Sequence, residues 1–194
     1  MDMQGSRRLA VSQQQAWDAL NDPEVLKTCI PGCDRVEATG ENQYAIGMAV
    51  KIGPVSARFA GKIQLTDVLP PNSYTLVFEG QGGGAGFGKG SAKVDLAPPA
   101  EGAGCELTYT AQAQVGGKIA QVGQRLVDGV AKSMAEDFFK RFDAEMERRH
   151  PQAYAAEAAL PPPTPAPTGG KGVPVWVWAL LGVAIVAALF LLRR

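Results

Sequence analysis

One histidine occurs in 194 residues, and it is His150. It stands at the boundary between domain and linker, so a Ser-His or Cys-His couple in the interior is not expected, and an imidazole-rich metal cluster has no residues from which to be built. Cysteine is nearly as scarce: Cys29, Cys33 and Cys105 are an odd number. Their C-x-x-x-C spacing fits neither a C-x-x-C redox pair nor a zinc knuckle, and they read as small buried thiols in a reducing compartment. Charge of one sign is also missing. Residues 1–150 hold 16 Lys plus Arg against 18 Asp plus Glu without long runs, so no nucleic-acid footprint is present. The first residues, MDMQGSRRLAVS, contain no apolar core of a secretory signal, which leads us to expect the domain in the cytosol.

What the sequence has in excess is glycine, most densely in GQGGGAGFGKG, Gly80 to Gly90. Gly83 to Lys89 fits the phosphate-loop pattern G-x-x-x-x-G-K-[ST] until its last position, where Gly90 replaces the hydroxyl that would meet magnesium. A phosphate loop also runs into a helix, whereas this one continues as Ser-Ala-Lys-Val-Asp-Leu with the alternation of a strand. Nucleotide binding is therefore rejected, and no cofactor or metal is expected.

Large apolar residues then concentrate at the far end. Val173 to Leu192 carries no charge over 20 residues, which as a helix at about 1.5 Å per residue matches the roughly 30 Å hydrocarbon layer of a bilayer. Trp176 and Trp178 lie near its start, where indoles favour the water-lipid boundary, and Lys171, Arg193 and Arg194 bracket it. Pro151 to Gly172 is proline-dense and poor in large apolar residues, the composition of a stiff spacer. The expected organisation is a domain over 1–149, a Pro-rich linker over 150–172 and a single-pass membrane anchor over 173–192. Arg193 and Arg194 oppose a cytosolic domain under the positive-inside tendency, but two residues cross more easily than a folded domain.

Within the domain, Ser12 and Gln15 form the S-x-x-Q capping box of a short helix, and a second helical turn ends near Pro31 and Gly32. Alternation follows. Tyr44, Ile46, Met48, Val50 and Ile52 share one face, as do Phe59, Gly61 and Ile63, then Tyr74, Leu76 and Phe78, then Leu107, Tyr109, Ala111 and Ala113. Such strands make an antiparallel sheet with one wet face. The other face needs a cover, and after Gly117 the residues Ile119, Val122, Leu126, Val130, Met134, Phe138, Phe142 and Met146 recur at helical steps. With a strand starting near Gly86, the inward positions Gly86, Gly88 and Gly90 lack side chains. Either backbones approach closely there, or the interior is open to an apolar guest. The candidate ligand-binding residues are Tyr44, Ile46, Met48, Phe59, Gly86, Gly88, Gly90, Leu107, Tyr109, Leu126, Val130 and Met134.

This α+β order, a strand, two short helices, a run of strands and one long closing helix, resembles the helix-grip fold of the START-like (SRPBCC) superfamily. VLKTCIPGCDRVE (25–37), GKGSAKVDLAP (88–98) and GGKIAQVGQRLVDGVAKSMAEDFFKRF (116–142) closely resemble the CoxG family, named for the G component of carbon monoxide dehydrogenase. The resemblance implies a non-catalytic accessory protein that attaches a cytosolic molybdenum hydroxylase to the membrane. An apolar container held above a bilayer suits a lipophilic ligand such as a quinone. Two alternatives stand beside it: a passive tether with no ligand, and a cyclase-like enzyme of the same fold, for which the inward polar groups are few, namely Tyr44, Tyr74, Tyr109 and Glu37.

Overall fold

Alternation of apolar and polar residues over most of the domain dictates strands with one buried face, and seven of them form a single sheet. The computed structural model describes residues 1–100 and 102–158. The elements are β1 (Asp2–Leu9), α1 (Gln13–Leu20), α2 (Pro23–Cys29), β2 (Cys33–Gly40), β3 (Gln43–Ile52), β4 (Val55–Leu69), β5 (Ser73–Gln81), β6 (Phe87–Ala97), β7 (Cys105–Gly116), α3 (Lys118–Gln121), α4 (Gln124–Arg149) and α5 (Pro151–Ala158). The sheet runs β1-β7-β6-β5-β4-β3-β2, and every neighbouring pair is antiparallel. The expected element order and the helix-grip architecture are both present.

Local signals start the helices. Ser12 caps α1 by accepting from the Gln15 amide at 3.3 Å, while the Gln15 side chain accepts from the Ser12 amide at 2.9 Å. Asp22 caps α2 ahead of Pro23, whose missing N–H costs nothing at the first helical position. The main core joins these helices to one end of the sheet and to the last turns of α4. Phe142, Met146, Leu9, Val11, Val25, Cys29, Cys105 and Leu107 are all but fully enclosed in it. A second, smaller cluster at the opposite end of the sheet joins Ile52, Ile119 and Val127.

Two expectations are corrected by the fold. The single long helix breaks at Gly123, whose φ of +99° only glycine adopts readily. Within α4 a stripe at steps of four residues drifts by about 40° each time, so Leu126, expected inside, lies about 160° around the helix from Phe142 and is 41% exposed, whereas Val127 comes within about 60° of it and is buried. The expected spacer begins at Pro151, yet residues 151–158 form α5. Its proline occupies the permitted first position, and the alanines that follow are strong helix formers. Ala153 and Tyr154 pack against the main core, the Tyr154 hydroxyl donates to the Asp143 carboxylate at 2.7 Å, and Glu157 pairs with Arg8 at 3.2 Å. The apolar run 173–192, with Trp176 and Trp178, lies outside the described residues. Among the described residues no helix is long and apolar enough to cross a membrane.

At the end of α4, Glu145 accepts from Arg148 at 2.8 Å and from Arg149 at 2.7 Å, and Arg149 reaches Asp22 at 2.9 Å. Hydrogen bonds from Arg148 and Arg149 hold the Glu145 carboxyl at about 2, below its ordinary 4.5. A depressed carboxylate stabilises the fold fully above its unfolded value, and that contribution is lost as pH falls from about 4.5 to about 2. Glu145→Gln should therefore flatten the fall in stability across that window, measured by urea unfolding at a series of pH values. Phe142→Ala removes an enclosed ring and should cost about 3 to 5 kcal/mol in the same assay at neutral pH.

Candidate functional site: an apolar cavity between two cores

A helix clamped at two points leaves room between them. Val127 belongs to the small cluster and Phe142 to the main core, separated by 15 residues, or about 22 Å along α4. Between them Val130, Met134 and Phe138 are only half-buried. Facing Met134 is a cavity of about 360 Å³, within the span of small-molecule sites, whose surface is almost entirely carbon. Ile46, Met48, Phe59, Leu76, Phe78 and Val115 supply its walls and Ile119 closes it on the side of α3.

The floor comes from strand register. Ile46 lies opposite Gly61, Gly61 opposite Gly80, Gly80 opposite Gly88, and Gly88 opposite Val115, so three glycines stand in one row across β4, β5 and β6. Directly opposed residues share a face, and this row faces inward. Gly80 and Gly88 leave open space where larger side chains would otherwise meet α4, whereas at Gly61 a Cβ would overlap the Glu79 carbonyl oxygen, so that glycine permits close approach of β5.

The glycines of β6 differ in what they do. A Cβ on Gly88 would meet only Val115 Cγ1, at 4.0 Å, so that position opens into the cavity. At Gly90 a Cβ would overlap the Gln112 carbonyl oxygen and crowd the Phe78 ring, so this glycine permits close approach of β7 and of the ring above it. Gly86 is not in the strand. It ends the 3₁₀ turn Gly83–Ala85 with φ of +122°, and a Cβ there would overlap the Gly116 carbonyl. Both readings of the glycine stretch thus hold, at different positions.

Of the twelve candidate residues, Ile46, Met48, Phe59, Gly88 and Met134 line this cavity. Val130 packs into the small cluster, while Leu107 is enclosed in the main core. Tyr44 packs on that core and directs its hydroxyl toward the Asn21 carbonyl at 3.5 Å. Tyr109 stacks on Phe139, ring centres 5.5 Å apart, beneath β1, and borders a separate cleft of about 420 Å³ between β1 and α4. Leu126 lies outside against the β3–β4 turn. Glu37 pairs in register with Ala45 on the outer face and is exposed. Gly61 and Gly80 were not among the candidates, although their inward parity is readable from alternation; only the pairing register reveals that they join Gly88. A larger groove of about 820 Å³ is lined mainly by outward-facing residues such as Gln64, Ser91 and Gln112, and it is the open, polar side of the sheet.

The cavity's chemistry is correspondingly narrow. Strand parity turns Lys62, Glu79 and Lys89 away from it, leaving apolar side chains on the inner face. Burial pushes the Cys29 thiol up to about 11, so it stays protonated at neutral pH, and Cys29 lies in the main core rather than at the cavity.

A profile of the carbon monoxide dehydrogenase G-subunit (CoxG) family matches residues 5–147. The chain belongs to the CoxG family. A conserved protein of Geobacillus kaustophilus, solved as a crystal structure, is 37% identical, with 76% of this chain and 96% of that chain covered and a TM-score of 0.71. An aromatase/cyclase, ZhuI from Streptomyces sp. R1128, is 12% identical over 77% of this chain and 94% of its own, TM-score 0.57. Protein Ms6760 of Mycobacterium smegmatis is 16% identical over 77% and 92%, also with a TM-score of 0.57. These last two share the fold alone. No curated protein matches the chain.

Gly88→Leu should fill the CoxG cavity with little loss of melting temperature, because the added side chain enters open space. Gly90→Ala, though smaller, should destabilise by about 1 to 3 kcal/mol, since its Cβ overlaps backbone. Thermal denaturation of the two variants checks the order; a Gly88→Leu protein less stable than Gly90→Ala would mean that the cavity is not there.

Proposed function

We propose that this CoxG protein is a membrane-anchored accessory that brings a cytosolic molybdenum hydroxylase of the carbon monoxide dehydrogenase type to the membrane, and that its cavity takes a lipophilic guest such as a quinone. The observation that carries the reading is a carbon-lined cavity floored by the Gly61, Gly80 and Gly88 row, in a chain of this family. Such a surface gains by excluding water around an apolar molecule and offers nothing to a charged one. The nearly all-carbon lining of the cavity favours a role in holding and presenting a guest over one in catalysis. In this reading the run 173–192 is the anchor, 159–172 the spacer, and the domain stays on the cytosolic side.

The full chain should fractionate with membranes and, extracted in mild detergent, carry a co-purifying isoprenoid quinone or other lipid that mass spectrometry identifies. A chain ending at Leu160 should be soluble and folded. Gly88→Leu in the full chain should still bring the hydroxylase to the membrane while losing the bound lipid and the coupling of substrate oxidation to quinone reduction. Full coupling in that variant would leave a passive tether as the better account, and digestion of the domain by protease added to spheroplasts would reverse the topology.

A further inference from the structure

Antiparallel order brings three connections to one end of the sheet, because β3, β5 and β7 all finish there: the β3–β4 turn (51–58), the 3₁₀ turn with the start of β6 (81–89), and the link from β7 into α4 (116–126). These segments carry Lys51, Arg58, Lys89, Lys118 and Arg125 and no acidic residue. Elsewhere residues 1–158 hold 11 Lys plus Arg against 19 Asp plus Glu, so this end is positive on an otherwise acidic domain. Arg58 pairs with Asp34, and Lys89 lies opposite Glu79 in the ladder. Lys51, Lys118 and Arg125 are exposed, and none makes an ion pair among the described residues.

Beside these cations are two of the exposed large apolar side chains, Leu126 at 41% and Phe87 at 40%. Phe87 lies over Gly116 and Leu126 against Gly53. Around them Gly83, Gly84 and Gly123 present bare backbone with nothing near a would-be Cβ. Phenylalanine and leucine among unpaired Lys and Arg is the chemistry of a surface that rests on negatively charged headgroups, with cations at the phosphates and apolar tips at the acyl boundary. A protein partner fits less well, since the centres of protein interfaces are depleted in lysine, which supplies two of the three unpaired cations here.

We propose that this end of the domain docks peripherally on an anionic lipid surface through Lys51, Lys118, Arg125, Phe87 and Leu126. The contact is separate from any anchor at 173–192 and does not depend on it. It also places α3 at the bilayer: Lys118 is on the rim, and its neighbour Ile119 lines the apolar cavity. A guest entering from lipid would pass Ile119 rather than the main core; that link alone rests on the lipophilic ligand proposed above.

The test uses residues 1–160, which contain both clusters and correspond to the whole of the Geobacillus relative's chain save a few per cent. Sedimented at low salt with vesicles of phosphatidylcholine and phosphatidylglycerol, this fragment should bind, release as salt rises, and ignore vesicles of phosphatidylcholine alone. Reversing three charges together (Lys51→Glu, Lys118→Glu, Arg125→Glu) should lower partitioning roughly 100-fold, with melting temperature unchanged. The same reversal at Lys27, Lys132 and Lys140 should keep it within about threefold. Leu126→Ser should weaken binding without altering its salt dependence. Absence of binding to the anionic vesicles, or binding that the rim variants leave intact, overturns the proposal. So does a rim variant whose 1–160 fragment binds the anionic vesicles normally while its full chain no longer captures the hydroxylase, which would make this end a protein interface. Failure of the full chain to recruit a hydroxylase, with vesicle binding by the fragment preserved, would count against the accessory role alone.

Discussion

Helix α4 is fixed to the rest of the molecule near its two ends and only loosely along its middle, and the interior follows from that arrangement. At one end Phe142 and Met146 sit in the main core with α1, α2 and the far ends of the strands; at the other Val127 meets Ile52 and Ile119. The intervening turns have no comparable partner on the sheet, because three adjacent strands present glycine where they would reach up. A packed interior would collapse such a gap, since protein cores approach crystalline density. Support at both ends keeps the helix from settling into it. Volume, in this fold, is a property of how a helix is suspended.

The same arrangement separates stability from binding. The largest enclosed residues lie outside the cavity lining, and among the lining residues only Ile52 and Ile119 are themselves buried. Substitutions on the floor therefore act on a region that contributes little to holding the domain together. Aromatic contacts reinforce the division: Tyr109 stacks on Phe139, whose face also receives the Arg7 guanidinium at 5.5 Å, and Phe138 stacks on Phe142, all toward the main core.

Much of this was legible in the sequence because strand alternation is local. Parity alone places Ile46, Met48, Phe59 and Gly88 on the inner face, and the capping box at Ser12 marks where α1 begins. What sequence cannot separate are Gly86, Gly88 and Gly90, since the difference lies in how near β7 and Phe78 come, a matter of distant chain. The phase of α4 is misread when a stripe is followed at steps of four, because each step drifts about 40° around the helix and the far end of the stripe turns out of the core. Leu126 and Val127 exchange roles for that reason. Pro151 misleads similarly: in a sequence proline reads as punctuation, although as the first residue of a helix it suits α5.

Helix α5 also determines how a mechanical load would enter the domain. Tension on the chain beyond Ala158 falls first on the Glu157–Arg8 pair and then on the Tyr154 hydroxyl at Asp143, both near the end of the molecule that holds the main core. These contacts can peel in sequence, like a zip, before strain reaches the packing of Phe142 and Met146 in the main core. Complete peeling would free eight residues, whose extended length of roughly 27 Å acts as slack. The cavity, whose shape depends on the suspension of α4, would be isolated from tugging by a sacrificial coil.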